Sequence, residues 1–251
     1  PAPNLRPLVV DLDGTLCRTD TLWETFFAAW RRCWWLPLAA PLWLLRGRSA
    51  FKRRLASVAL PDIASLPWNS AVTDALHDAR AAGRTTVLAT AADDLVAQAC
   101  AAELGLFDRV IASDGIRNLK AHTKAEQLVP LFGEQGFDYI GDSRADLAVW
   151  PHAAQRFTVS SLLPAGGQRL PGTPAAGGVG RWLKLLRVRH WVKNVLVFVA
   201  PLAAHQWAVA ASWHATLLTF AAFCAVCSSI YVVNDLFDLA SDRAHPSKRR
   251  R

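Results

Sequence analysis

The sequence predicts an α/β domain, a parallel sheet with crossover helices and a helical cap inserted after its first strand, followed by an all-α transmembrane segment. Three observations predict it. Short apolar runs alternate with helix-patterned stretches over roughly the first two thirds of the chain. A Pro/Gly-rich stretch then breaks the pattern, and two apolar segments bracketed by basic residues follow it. Composition agrees: 52% of the 251 residues are hydrophobic and mean hydropathy is +0.17, rich for a soluble chain and poor for one embedded throughout. Charge divides the same way. Residues 1–180 carry 18 Lys/Arg against 17 Asp/Glu and residues 181–251 carry 10 against 3, so +7 of the net +8 lies in the last part. Basic charge around apolar stretches, without a helix-turn-helix, zinc-finger or RNA-binding signature, points to a membrane surface and away from nucleic acid.

Taken in order, PAPNLRPL has no apolar signal-peptide core and leads into a first strand, LVVDLD. An insertion from about Arg18 to Asn69 reads as the helical cap. It mixes Trp23, Trp30, Trp34, Trp35 and Trp43 with RGRSAFKRR, and LPLAAPLWLL within it is too short to span a bilayer. Two readings of these tryptophans stay open, contact with a membrane interface or the cap's own core. Strands TTVLATA, RVIAS, FDYIGD and RFTVSS follow, with helices in AVTDALHDARAAG and TKAEQLVPLFGEQG. The α/β domain is expected over residues 1–163, a linker over Pro164–Gly180 and the membrane part over 181–251.

Within that last part, RWLKLLRVRHWVKN is amphipathic and basic, VLVFVAPLAA is a short apolar segment, and Ala215–Val233 is long enough to span. Lys and Arg precede and follow this hairpin and are absent between Val195 and Val233, so the positive-inside rule puts both ends in the cytoplasm. The expected location is the inner (cytoplasmic) membrane, multi-pass, with the N-terminal domain cytoplasmic. Five scattered cysteines, Cys17, Cys33, Cys100, Cys224 and Cys227, suit reduced thiols and do not complete a zinc site.

The first chemical constellation begins at DLDGT. Asp11 and Asp13 project from the carboxyl edge of the sheet, where one carboxylate can act as nucleophile and metal ligand and the other as proton donor. Thr90 ends a second strand with a hydroxyl suited to a phosphate oxygen, and IGDSRAD leaves Asp142 and Asp146 at the tip of another. Thr123 and Glu126 have the spacing of a capping box, which puts Lys124 in the first turn of a helix near the anion site; Lys120, before that start, is the weaker candidate.

This set resembles the haloacid dehalogenase (HAD) superfamily over roughly residues 5–163, whose fold is a Rossmannoid sheet with a cap placed after the first motif. The resemblance implies a phosphatase with an aspartyl-phosphate mechanism. Asp11 would attack phosphorus, Asp13 would protonate the leaving alcohol and later activate water, and Thr90 and Lys124 would hold the phosphoryl oxygens, with Thr15 a further substrate contact. Mg²⁺ would be held by Asp11, Asp142 and the backbone carbonyl of Asp13, with Asp146 in support.

The second constellation is Asn234, Asp235, Asp238 and Asp242. At i, i+1, i+4 and i+8 they share one face of a helix continuing from the apolar span, and three carboxylates at a helix C-terminus gain a reason if Mg²⁺ and a diphosphate lie between them. NDLFDLASDRAHPSKR resembles the first Asp-rich motif of the UbiA superfamily of membrane transferases. With WVKN before it, the stretch is similar to the branch that transfers phosphoribose to a polyprenyl phosphate. The resemblance implies Mg²⁺ and diphosphate at Asn234, Asp235, Asp238 and Asp242, and phosphate contacts at Lys193, Asn194, Lys248 and Arg249. Where that branch has Arg-Pro this chain has Arg187-Val188, which keeps open a prenyltransferase for an aromatic acceptor beside a noncatalytic, regulatory HAD-like module. Against the nine spans and second motif of the resembled fold, about two spans and one motif are read here, and the chain is expected to be truncated. The expected substrates are a phosphorylated small molecule or lipid-linked sugar for the phosphatase, and polyprenyl phosphate with a diphosphate for the complete transferase.

Overall fold

The computed structural model of the chain describes residues 5–172, 185–238 and 242–243. It divides into two compact units at about residue 175. The first is built on a six-stranded, wholly parallel sheet in the order β3-β2-β1-β4-β5-β6. Its strands are β1 (Leu8–Val10), β2 (Thr86–Asp93), β3 (Arg109–Ser113), β4 (Asp138–Gly141), β5 (Arg156–Thr158) and β6 (Gln168–Arg169). Helices α4 (Ser70–Ala81), α5 (Asp94–Leu104) and α6 (His122–Phe132) make the crossovers.

Side chains alternate between the two faces of a strand, so a strand covered on both reads as a continuous apolar run. Leu8, Val10, Leu88 and Ile140 join one buried cluster with Val72 and Leu76 of α4 and Val96 and Cys100 of α5. Val9, Val87, Ala89 and Tyr139 join the other, with Ala125 and Leu128 of α6 and the fully buried Trp150. Each such Leu or Val contributes about 1.5–3 kcal/mol on burial. The chain runs outward from β1 through β2 to β3 and then returns to build β4, β5 and β6 on the other side. The crevice between β1 and β4 is therefore the switch point where sheets of this kind place ligands.

The inserted cap folds as α1 (Thr21–Arg32), α2 (Leu36–Leu44) and α3 (Arg48–Val58). Asp20 caps α1 by accepting the Leu22 amide at 2.8 Å. Ala29, Leu36, Leu55 and Ala59 form a small core of its own, against which Phe26, Trp30, Trp43 and Phe51 pack. The tryptophans thus split: Trp30 and Trp43 serve the cap's core, whereas Trp23, Trp34 and Trp35 are exposed.

Two expectations need correction in this unit. The stretch from Pro164 is not simply a linker, because Gln168 and Arg169 pair with β5 and Leu170 is buried in the core. Two residues are too few for alternation to mark a strand. The Thr123/Glu126 capping box also does not form. Helix α6 starts two residues earlier than that box requires, at His122, and its N-cap is Ala121, which makes no side-chain capping bond and turns the chain with φ 53° and ψ −117°.

The second unit holds a 3₁₀ run, Val188–Phe198, a short helix, Val199–Ala203, and a long helix, Ala210–Phe237. Among the described residues the long helix alone is long and apolar enough to cross a membrane. The first apolar segment is 3₁₀ helix as far as Phe198 and α-helix from Val199 to Ala203, and the 3₁₀ run and the residues before it pack along the long helix. Trp191 donates to Ser228 Oγ at 3.0 Å, Ser228 donates to the Leu186 carbonyl at 2.8 Å, and Asn194 Nδ2 lies 3.4 Å from Cys224 Sγ.

Candidate active site

The carboxyl ends of β1 and β4 bring the first constellation together. Asp11 follows Val10 directly, and its amide is held by the Ile140 carbonyl of β4 at 3.1 Å. Asp142 follows β4, and its carboxylate accepts from Thr15 Oγ1 at 3.3 Å. Gly14 fits between them with φ +77°, and a Cβ there would stand 2.2 Å from Asp142 Oδ2, so glycine leaves the space in which that carboxylate sits.

Lys124, buried in the first turn of α6, donates from Nζ to Asp11 Oδ1 at 2.9 Å and to the Tyr139 hydroxyl at 2.9 Å. Tyr139 in turn donates to Asp146 Oδ1 at 2.7 Å. The other Asp146 oxygen accepts the amides of Asp142 and Ser143 at 3.1 and 3.0 Å and the Ser143 hydroxyl at 3.0 Å. Asp146 is thereby saturated and fixes the β4 loop, while Asp11 and Asp142 keep free lone pairs. Sequence reasoning missed Tyr139; a lone polar aromatic in an apolar strand leading to Asp142 was its signal.

Burial dominates the electrostatics. It pushes the Asp11 carboxyl up to about 7 against the pull of Lys124, and the Asp142 carboxyl up to about 6 with help from Asp146. Burial works against the Lys124 ammonium, but Asp11 and Asp146 outweigh it and hold the lysine above its ordinary value. Asp13 is also raised by burial, then by Asp20, and its Oδ1 accepts the Thr21 amide at the start of α1 at 2.7 Å.

A cavity of about 760 Å³ opens above these groups. Asp11, Asp13, Asp142, Lys124 and Ser143 line its floor, and Leu22, Phe26, Pro37, Pro41, Leu44 and Phe51 of the cap line its upper wall. Arg48, Lys52 and Lys120 also line it. Lys52 is a second residue the sequence reading missed, hidden in a basic run. It leans from α3 to the Ala91 carbonyl of β2 at 2.6 Å. Ala91 lines the cavity but Thr90 does not; Thr90 is fully buried, with its Oγ1 accepting the Ala92 amide at 2.9 Å.

Asp11, Asp142 and Asp146 offer carboxylate oxygens within 4.8 Å of one another, the only such group of three among the described residues. Asp11 and Asp142, which keep free lone pairs beside a glycine cradle, give oxygen donors that fit a hard divalent cation such as Mg²⁺, with the saturated Asp146 fixing the loop beside them. The carboxylate of Asp13 is not in the group.

The second constellation is not gathered in this way. The long helix is described from Ala210 to Phe237 with Asp238 as its C-cap, and residues 239–241, which lead to Asp242, lie outside the described residues. Asn234 Nδ2 donates to Asp238 Oδ2 at 3.0 Å, and Asp242 donates its amide to the Asp238 carbonyl at 2.8 Å. Asp235 is held by Arg187 at 2.5 Å, and the Arg187 guanidinium also lies 4.7 Å from the Tyr231 ring. The Asp235 carboxylate thus has a cationic partner and that of Asp238 an amide partner, which relieves charge at the negative end of the helix. Lys193 and Asn194 lie on the 3₁₀ run, and Lys248 and Arg249 lie outside the described residues.

The family model of haloacid dehalogenase-like hydrolases matches residues 8–150. An uncharacterised protein of Sinorhizobium fredii, y4nM, is 40% identical over 257 residues, covering 98% of this chain and 49% of its own length. Decaprenyl-phosphate phosphoribosyltransferase of Mycolicibacterium smegmatis is 42% identical over 84 residues, 31% of this chain and 26% of its own, in the C-terminal part. A solved HAD family hydrolase from Salmonella enterica serovar Typhi is 17% identical, covering 60% of this chain and 62% of its own at a TM-score of 0.43. The chain spans about half the length of the first of these curated relatives and about a quarter of the second.

Proposed function

Since the chain belongs to the haloacid dehalogenase-like hydrolase family, we propose that its first unit is a Mg²⁺-dependent phosphomonoesterase in which Asp11 is the nucleophile. The observation that carries this reading is the contact of Asp11 with Lys124 on the floor of a large cavity, beside Asp142 and Asp13. An oxygen of Asp11 attacks phosphorus in line and the phosphorus–oxygen bond to the leaving alcohol breaks. Asp13, whose burial favours the protonated form, gives that oxygen its proton. The carboxylate so formed then takes a proton from water as the water attacks the aspartyl phosphate, which releases inorganic phosphate and restores Asp11. Lys124 holds one phosphoryl oxygen and keeps Asp11 oriented, while Thr15 acts through its bond to Asp142 and Thr90 through its bond to the Ala92 amide, shaping the floor beneath the phosphate. Mg²⁺ at Asp11, Asp142 and the Asp13 carbonyl would supply charge neutralisation when bound, with Asp146 ordering the loop.

The apolar upper wall of the cavity supports a substrate whose phosphate is joined to a lipid-linked sugar, since a small soluble phosphate leaves that wall without a partner. Likeness of the C-terminal part to a decaprenyl-phosphate phosphoribosyltransferase supports the same class. The proposed role is removal of a phosphate from a polyprenyl-phosphate sugar of the kind such a transferase makes. In this reading residues 181–251 contribute to a UbiA-type membrane transferase, with Asn234, Asp235, Asp238, Asp242, Lys193, Asn194, Lys248 and Arg249 toward Mg²⁺, diphosphate and phosphate, and with both ends of the segment in the cytoplasm.

The test is hydrolysis of p-nitrophenyl phosphate by the full chain in nanodiscs. Activity should need Mg²⁺, vanish with EDTA, and fall by about three orders of magnitude or more in Asp11→Asn, which removes the nucleophile and keeps its shape. An Asp11→Asn protein as active as its parent refutes the mechanism. Release of phosphate from decaprenyl-phosphoryl-5-phosphoribose faster than from ribose 5-phosphate would support the substrate class, and the reverse order would reject it.

A further inference from the structure

Helix α2 of the cap presents three different faces. Leu36 is fully buried in the cap's core, while Pro37, Ala40, Pro41 and Leu44 line the cavity. On the remaining side Trp34, Leu38, Leu42 and Leu45 stand 80%, 77%, 66% and 83% exposed. Leu38, Leu42 and Leu45, spaced by four and three residues, make one stripe along the helix and its C-cap, and Trp34 stands in the turn just before the helix. Four adjoining large apolar side chains left in water are unlike the single exposed leucines that any protein carries.

The charge around the stripe is one-sided. Between residues 25 and 61 there are seven Lys and Arg and no Asp or Glu. Lys52 and Arg53 are turned inward, to the Ala91 carbonyl and the Asp93 carboxylate, and Arg54 lies over the Trp43 ring. Arg31 and Arg32 end α1 just before the stripe, and Arg46 and Arg48 follow it, so cations bracket α2 at both ends. At nine residues, or about 14 Å, α2 is too short to cross a bilayer. Three leucines and a tryptophan offer a single side-chain donor, the Trp34 indole N–H, which is too little to set a register with a protein partner. Aromatic and aliphatic groups between arginines are what an interface of hydrocarbon and anionic headgroups accepts. The chain also carries the apolar helix Ala210–Phe237, a covalent reason for the cap to meet a bilayer.

We propose that the cap docks on an anionic lipid bilayer through α2, with Trp34, Leu38, Leu42 and Leu45 in the headgroup–acyl boundary and Arg31, Arg32 and Arg46 on the headgroups. This rests on the cap's shape and charge and is independent of the chemistry assigned to Asp11. The other face of α2 then forms the wall of the cavity, so the helix that touches lipid is also the helix that a lipid-linked substrate passes.

The test uses the full chain with Cys33 and Cys227, the two cysteines that are not buried, changed to Ser. An environment-sensitive NBD label is placed at Leu38→Cys or, as control, at Leu131→Cys. Leu131 lies in the last turn of α6, at the end of the sheet away from the cap, because crossover helices run back from the carboxyl edge. The proteins are reconstituted in vesicles of phosphatidylcholine alone or with one third phosphatidylglycerol. The expected result is a blue-shifted label at position 38, quenched severalfold more by doxyl-labelled lipid than the label at 131, and more strongly in the anionic vesicles. Arg31→Gln with Arg32→Gln and Arg46→Gln should bring that quenching down to the neutral-vesicle level while circular dichroism stays unchanged; a repeat with the label at Leu42→Cys guards against local damage. Quenching at 38 no greater than at 131, or equal in neutral and anionic vesicles, overturns the proposal. So does a label buried without lipid quenching in a concentration-dependent way, which would assign the stripe to a second copy of the chain.

Discussion

Asp11, Lys124, Tyr139 and Asp146 form a buried relay in which each group fixes the next. Tyr139 is the hinge of it, because its hydroxyl accepts from Lys124 and donates to Asp146. Tyr139→Phe keeps the packing and deletes only that bridge, so it should cost about 1–3 kcal/mol of stability through the two buried hydrogen bonds lost, read by urea denaturation. No loss would mean the relay is not closed in solution. The raised carboxyls give a pH signature. In EDTA the folded protein keeps protons on Asp11, up to about 7, and on Asp142, up to about 6, where an unfolded chain with carboxyls at 3.8 has released them. The native state then binds more protons than the unfolded one, so these groups contribute stability that declines as pH rises from about 4 to 7. Thermal melts of the parent should fall over that window more steeply than those of Asp11→Asn, and Mg²⁺ should offset the fall by binding the native state. A parent melt that rises more steeply than the variant's contradicts this.

At the scale of elements, the start of α6 decides where Lys124 points. Ala121 adopts φ 53° and ψ −117°, the first central position of a type II′ turn, which favours glycine because a Cβ crowds the backbone there. Holding alanine in that region costs about 1–3 kcal/mol. Ala121→Gly should therefore raise stability by about 1 kcal/mol after the added chain entropy of glycine, measured as a shift in denaturation midpoint; a destabilised variant would show that the turn is not strained. Helix α6 and the β1 and β4 termini were legible from periodicity and from the carboxylates that end each strand. The α6 N-cap was not, because Thr123 and Glu126 satisfy a capping pattern two residues inside the true start. The choice between the two was made by the turn that joins α6 to the sheet.

For the whole molecule, the helix Ala210–Phe237 is about 42 Å long at 1.5 Å per residue, more than the roughly 30 Å of a bilayer's hydrocarbon layer. Leu217, Leu218, Phe223, Val226 and Ile230 are exposed along it, as a lipid-facing helix requires. With Lys and Arg confined to both flanks, a single cysteine at Gln206 should react with an impermeant maleimide added to intact cells, and one at Arg243 only after permeabilisation. The reversed pattern would invert the proposed topology.

The sequence by itself determined the fold class, the inserted cap, the division of charge and the acidic residues of the Asp11 site, because these depend on periodicity, composition and strand-end position, all local properties. Only the tertiary structure decided the partners. It joined Tyr139 and Lys52 to the site, saturated Asp146, set Thr90 away from the cavity lining and gave the carboxylates of Asp235 and Asp238 partners in Arg187 and Asn234. It also separated the tryptophans of the cap core from those left in the open. Such outcomes are set by which residues distant along the chain compete for the same buried space and the same hydrogen bonds, and no pattern within a single segment carries that information.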